Sequence, residues 1–202
     1  MEKEGEKMSE KTISARDKIG KYVYGQIAML TENMKYGGGK AMLANLRRGA
    51  GKTPGELPEL WGIFLNGIPD EMLSRNGEPT KAEWAIYIAL TMFALHQQGN
   101  GESVHQNGIS FGRAAAMLMN DQTDDERERV LRRFGPAVTA NDMYELSHHM
   151  RCLIELMRNS NKGIKLDYVM LARDIYDYQS SAGKKKVQLR WGQDFYYIEK
   201  GE

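Results

Sequence analysis

The sequence has one cysteine, five prolines and almost no net charge, and each shortage narrows what the protein can be. Cys152 has no partner for an intramolecular disulfide, which excludes a disulfide-stapled secreted scaffold and a metal site built from several cysteines. A reduced, cytoplasmic protein is the expectation. Five prolines in 202 residues is well below the average share and suits long helices. The longest apolar run, Trp84 to Leu95, is broken by Thr91 and falls short of the ~20 residues that span a bilayer. The N-terminus, MEKEGEKMSEK, lacks the apolar core of a signal peptide. Lys+Arg of 28 against Asp+Glu of 27 leaves +1, so no bulk charge points to nucleic acid or an anionic membrane.

What is present is helical periodicity. Ile19, Val23, Ile27, Leu30 and Met34 step by four and three, predicting an amphipathic helix over ~12–35 that Gly37-Gly38-Gly39 ends. A short helix is expected at ~40–48, then an apolar segment around Leu60–Leu65. Thr80 and Glu83 have the spacing of a capping box, and the helix it opens, ~80–98, is apolar nearly all round, as a central buried helix would be. After a Gly/Asn-rich loop, Ser110 suits the N-cap of ~111–119, and Thr123 or Asp124 that of ~124–134, which Gly135-Pro136 separates from the next helix. Met143, Leu146, Met150, Leu153 and Met157 mark a core stripe on ~140–158, and two further helices are expected at ~166–178 and ~184–198. No stretch alternates with the period of a strand. The expectation is an all-α fold, a single compact bundle of about eight helices. Residues 1–10 read as a polar extension and 11–202 as one helical domain, with 100–110 the place where two lobes would meet.

The charges are unevenly spread along the chain. Lys35 to Lys52 holds five basic residues (Lys35, Lys40, Arg47, Arg48, Lys52) and no acid, while Thr53 to Glu83 holds six acids against Arg75 and Lys81. On the short helix, Met42, Leu43 and Leu46 fall on one side and Lys40, Arg47 and Arg48 on the other. Such a face suits solvent or phosphate oxygens. Arg129 and Arg132 each follow an acid at i−4, Asp125 and Glu128, an order that favours intrahelical pairing and leaves Arg133 free. Tyr144, His148, Arg151, Glu155 and Arg158 form the polar stripe of ~140–158, where Glu155 partly neutralises both arginines. Lys184-Lys185-Lys186 with Arg190 is a further basic cluster. Arg113 sits at a helix start, against the local dipole, with no acid within four residues; an external anion or a carboxylate elsewhere in the fold would resolve that.

Signals for catalysis are thin. Gly49-Ala50-Gly51-Lys52-Thr53 resembles the end of a phosphate-binding loop, but the first glycine of that pattern would fall on Leu46, and a helix rather than a strand precedes it. The four histidines show no zinc-binding spacing, Cys152 lies beside a core stripe and reads as packed, and Asp174 and Asp177 have the spacing of an exposed helix face. No metal and no cofactor are expected. A nucleotide-dependent enzyme using Gly49–Thr53 and a helical scaffold that contacts only protein stay as alternatives.

In order along the chain come Leu46-Arg47-Arg48-Gly49, Leu57-Pro58-Glu59-Leu60-Trp61, and Gly108-Ile109-Ser110-Phe111-Gly112-Arg113-Ala114-Ala115-Ala116. They are followed by an arginine-rich helix with Arg129, then Met150–Ile154, Leu166-Asp167-Tyr168, Arg190-Trp191 and Asp194-Phe195-Tyr196. This series resembles the small subunit of the type I-E CRISPR surveillance complex, Cascade (the CasB family), over residues 13–198; the stretch from Gly108 is similar to the family's GIS-aliphatic-GRALA. The resemblance implies an all-helical, non-catalytic clamp, two copies of which lie along the complex beside its backbone and large subunits. It would hold the target DNA strand paired to guide RNA and help retain the displaced strand. Carried over by position are Arg47 and Arg48 (one of which aligns with the family's arginine), Arg113, Arg129 and Arg151. Lys40, Lys52 and Arg133 join them from the charge pattern.

Overall fold

The structure is a computed structural model that describes residues 13–121 and 123–196, so the polar head Met1–Glu10 lies outside the described residues. Nine α-helices follow one another among these: α1 (Ala15–Asn33), α2 (Gly37–Arg48), α3 (Trp61–Phe64), α4 (Lys81–Gln97), α5 (Phe111–Ala116), α6 (Asp124–Thr139), α7 (Met143–Asn159), α8 (Tyr168–Tyr178) and α9 (Ser181–Tyr196). Described residues contain no strand, only one isolated parallel bridge between His105 and Leu166. None of the described helices is long and apolar enough to cross a membrane.

Helix α4 is the axis of the fold. Its capping box forms as the spacing predicts: Thr80 Oγ1 accepts from the Glu83 N–H at 3.1 Å, and Glu83 Oε2 accepts from the Thr80 N–H at 2.7 Å. Every residue from Ala82 to Gln97 is buried, and α1, α2, α7 and α8 pack around it. A second layer of contacts joins α5 to α9 and α6 to α7, while α8 touches α1, α4 and α9.

Several local expectations are corrected by packing. The glycines at 37–39 open α2 rather than end α1, because Gly39 lies against the last turn of α1: a Cβ there would fall well inside van der Waals contact of the Asn33 carbonyl oxygen. Gly39→Ala should therefore push α2 off α1 and cost about 1–3 kcal/mol, measurable by chemical denaturation. Gly135-Pro136 does not end α6, which runs on to Thr139. Pro136 forfeits one backbone donor, but Val130, Phe134 and Ala137 form a continuous buried stripe through it. Cys152 is exposed rather than packed, since the buried face of α7 passes through Met150, Leu153, Ile154 and Met157.

The aspartates read as an exposed face are structural. Asp174 is fully buried and accepts from the Trp191 indole N–H at 2.7 Å and from the Arg190 guanidinium. Asp177 pairs with Arg16 at 2.9 Å. Asp167 caps α8 through the Met170 N–H and also accepts from the Gly108 N–H at 2.9 Å, tying the loop before α5 to α8. No group of three or more His, Cys, Asp or Glu among the described residues is placed to hold a metal ion.

Candidate nucleic-acid interface

The amphipathic split of α2 is as expected: Leu43 and Leu46 are buried, Lys40 and Arg48 are exposed and Arg47 is half-buried. The chain then folds its acidic stretch back onto its basic one. Glu59 takes Arg48 at 3.1 Å and Glu56 takes Lys52 at 2.5 Å. Two of the five cations between Lys35 and Lys52 are thereby neutralised by the segment that follows them.

Glu56 also decides the character of the loop at 49–53. Its carboxylate accepts from both the Lys52 ammonium and the Thr53 N–H, the groups a nucleotide phosphate would need. Moreover, the loop leaves the C-terminus of α2, where the helix dipole is negative, whereas phosphate loops feed a helix N-terminus.

Arg151 projects from α7 to the end of α2, donating to the Ala50 carbonyl at 3.2 Å and to Glu155 at 3.1 Å. It pins α7 to the loop after α2. Farther along α7, Arg158 donates to the Gln98 side chain at 2.8 Å and lies close enough to Arg47 that the two cations repel. Burial and, after it, this like charge lower the pKa of the Arg47 guanidinium. Lys40 and Arg47 line a cleft of about 390 Å³ with Leu43 and the loop Gln97–Gly101.

Helix α7 ends at Asn159, and Asn159 with Ser160 borders a second cleft, about 270 Å³, whose basic lining is Arg129, Arg133 and Lys162. Arg129 pairs with Glu126 through two bonds of 2.8 Å, not with Asp125, because this geometry also lets its guanidinium reach the Leu118 carbonyl. That fork and the Asn120 N–H hold the Glu126 carboxyl down to about 2. Arg132 pairs with Glu128 as its spacing suggests. Lys162 donates to the carbonyls of Met117, Leu118 and Met119, tying down the chain just past the end of α5. Arg113 stands one turn earlier on α5, where Ser110 caps the helix; it shares a cleft of about 550 Å³ with Arg190 and Asp194. Of the lysine cluster, Lys184 is tied to the Ala140 carbonyl at 2.6 Å.

Apart from Arg113, which lines the cleft with Arg190 and Asp194, the eight sequence-predicted residues divide in two. Arg48, Lys52, Arg129 and Arg151 are held in ion pairs. Lys40, Arg47 and Arg133 have no ion pair among the described residues, and Arg158, which the sequence placed only on a mixed polar stripe, joins them. Lys40 and Arg47 line the first cleft and Arg133 the second, while Arg158 is tied to the first through Gln98. The signal that could have found Arg158 is its position near the end of α7, where a cation also complements the dipole.

The family model of CRISPR-associated protein Cse2 matches residues 42–196 of this chain. The crystal structure of CasB from Thermobifida fusca is similar to it with a TM-score of 0.72 and 29% identity, covering 89% of this chain and 98% of that one. A CRISPR-associated protein of the Cse2 family from Thermus thermophilus shares the fold, with a TM-score of 0.62, 20% identity, and coverage of 91% and 99%. No curated protein sequence matches.

Proposed function

Because the chain belongs to the Cse2 family of CRISPR-associated proteins, we propose that it is a non-catalytic small subunit of Cascade that holds nucleic-acid backbone. The single observation that carries this is the set of cations without an acidic partner among the described residues: Lys40, Arg47, Arg158 and Arg133. Cations without acidic partners are available to the phosphates of a strand and bind them with little regard for sequence. Exchange of a DNA duplex for a guide RNA–target hybrid is near-balanced, so phosphate contacts made only in the open state tip it. The target strand paired to guide RNA and the displaced strand are the ligands of this face.

Neighbouring subunits are assigned the compensated part of the surface around the loop 53–55. Trp61 and Tyr144 are exposed on either side of the loop 53–55, Trp61 donating to the Gly55 carbonyl and Tyr144 bonding Thr53, amid the neutralised pairs of Arg48, Lys52 and Arg151. Aromatic rings among compensated charges suit a protein contact better than a phosphate contact. The backbone and large subunits of Cascade and a second copy of the chain are the partners this reading assigns.

The test is salt-dependent binding of single- and double-stranded DNA by the chain and by the complex that contains it. Lys40→Ala with Arg47→Ala and Arg133→Ala should lower the slope of log affinity against log salt by about two and weaken binding roughly tenfold or more at low salt. Arg48→Ala with Lys52→Ala should change both far less, since those cations already have anions. Unchanged affinity and R-loop lifetime in the triple variant would falsify the reading and favour a scaffold that contacts only protein.

A further inference from the structure

Four Asn-Gly pairs stand in the loops of this chain: Asn66-Gly67, Asn76-Gly77, Asn100-Gly101 and Asn107-Gly108. In such a pair the backbone nitrogen that follows the asparagine can attack its side-chain amide, because glycine has no Cβ to shield the approach. The attack needs two freedoms. The glycine N–H must be able to lose its proton, and the asparagine side chain must be able to bring Cγ over that nitrogen. In three of the four pairs the fold withholds at least one. The Gly108 N–H donates to the Asp167 carboxylate at 2.9 Å, beside a negative charge that opposes its deprotonation. The Gly77 N–H donates to Ser74 Oγ at 3.1 Å, and Asn76 Oδ1 accepts from the Ser74 hydroxyl and the Glu78 N–H. Asn100 commits its side-chain N–H to the His96 carbonyl at 3.0 Å, at the end of α4.

Asn66-Gly67, in the loop after α3, differs from all three. Both residues are exposed, and neither the Asn66 side chain nor the Gly67 N–H makes a hydrogen bond among the described residues. Only the backbone around them is held. The Ile68 N–H donates to the Leu65 carbonyl at 3.2 Å, closing a turn in which Gly67 has a φ of 84°. The Tyr22 hydroxyl of α1 lies 2.9 Å from both the Phe64 and the Asn66 carbonyls. Space at the attacking nitrogen is open as well, since a Cβ on Gly67 would meet only the Tyr22 ring, at 3.7 Å.

We propose that Asn66 is a site of spontaneous deamidation, the one Asn-Gly pair of the four that the folded chain leaves reactive. Solvent base removes the Gly67 amide proton, and the nitrogen attacks Asn66 Cγ. The Cγ–Nδ2 bond breaks and ammonia leaves, closing a succinimide ring. Water then opens the ring. Cleavage at Cγ gives aspartate; cleavage at the former main-chain carbonyl gives isoaspartate, whose chain runs through Cβ and Cγ. Either product replaces a neutral amide with a carboxylate and cancels the formal net charge of +1. In the isoaspartate, the carbonyl beside Tyr22 becomes the free carboxylate, and the chain from Phe64 to buried Ile68 is one methylene longer. The modification thus reaches the joint between α1 and α3.

The experiment incubates the full chain at mildly alkaline pH, folded and in urea, and follows it by peptide mapping with mass spectrometry and by methylation with an isoaspartyl methyltransferase. In the folded chain the peptide holding Asn66 should gain about 1 Da first. Conversion at Asn76, Asn100 and Asn107 should lag by roughly tenfold or more, the factor that a retained hydrogen bond imposes. In urea the four should react at similar rates. Ser74→Ala, which releases both the Gly77 N–H and Asn76 Oδ1, should raise the folded-state rate at Asn76 several-fold and leave that at Asn66 unchanged. Asn66→Gln should abolish the early acidic species on ion exchange. Conversion at Asn66 no faster than at the other three in the folded chain overturns the proposal. So does a ranking that is the same in urea, which would make the selectivity a property of the sequence and not of the fold.

Discussion

Gly112→Ala is expected to cost about 3 kcal/mol or more and to loosen Arg113 along with the fold. Gly112 is buried on α5, and a Cβ there would fall well inside contact of the Trp191 carbonyl oxygen and close to its Cα. The obstacle is backbone, so no rotamer change relieves it, and α5 has to move away from α9. Between these helices lie Phe111, Phe134, Trp191 and Phe195, whose rings pack at centroid distances of 5.0–5.7 Å. Opening that cluster by even one methyl width forfeits contacts across all four. Urea denaturation measures the loss, and a midpoint unchanged from wild type would refute the packing argument. Because Arg113 follows Gly112 directly, DNA binding at a temperature where the variant is still folded should weaken as well.

Asp174→Ala should cost about 3 kcal/mol near neutral pH. It leaves the fully buried Trp191 indole N–H without its acceptor and strips Arg190 of its anion, on top of a small cavity. The pH dependence separates this carboxyl from the others. Burial raises it from 3.8 to about 6, with Asp177 adding to the rise and Arg190, Trp191 and Arg16 opposing it. A carboxyl whose folded pKa lies above its unfolded one stabilises the fold most fully below about pH 4. That contribution fades as pH rises through about 6. Wild-type stability relative to Asp174→Ala should thus grow on acidification across that window. Parallel stability curves for the two proteins from about pH 4 to about pH 7 would show that Asp174 titrates normally in the fold.

These two residues also explain why the stretch from Gly108 and the Arg190-Trp191 pair occur together in one sequence. Gly112 is where α9's backbone lies on α5, and Asp174 is what Trp191 and Arg190 reach from the same helix. Asp167 closes the set by tying Gly108 to α8. The motifs that looked like candidates for chemistry are largely the joints of the bundle. Arg113 and Arg190 are the cations among them that line a surface cleft.

By itself, the sequence determined most of the helices, several of their caps and the main buried stripes, but not the start of α2, the end of α6 or the exposure of Cys152. Each of those rests on residues three or four positions apart: Thr80 with Glu83, Ser110 with Arg113, the stripe from Met143 to Met157. It also placed the basic side of α2 correctly, for the same local reason. Lys52, Arg129 and Arg151 meet acids three or four residues away, but only the tertiary structure decided the surroundings of Arg47 and Arg48, which are set by residues from outside a single helical turn. Glu59 reaches Arg48 across a turn, and Arg158 approaches Arg47 from the far end of α7, more than one hundred residues later in the chain. A net charge of +1 says nothing of either meeting. Periodicity is a property of one element, but an electrostatic surface exists only once the elements have been brought together.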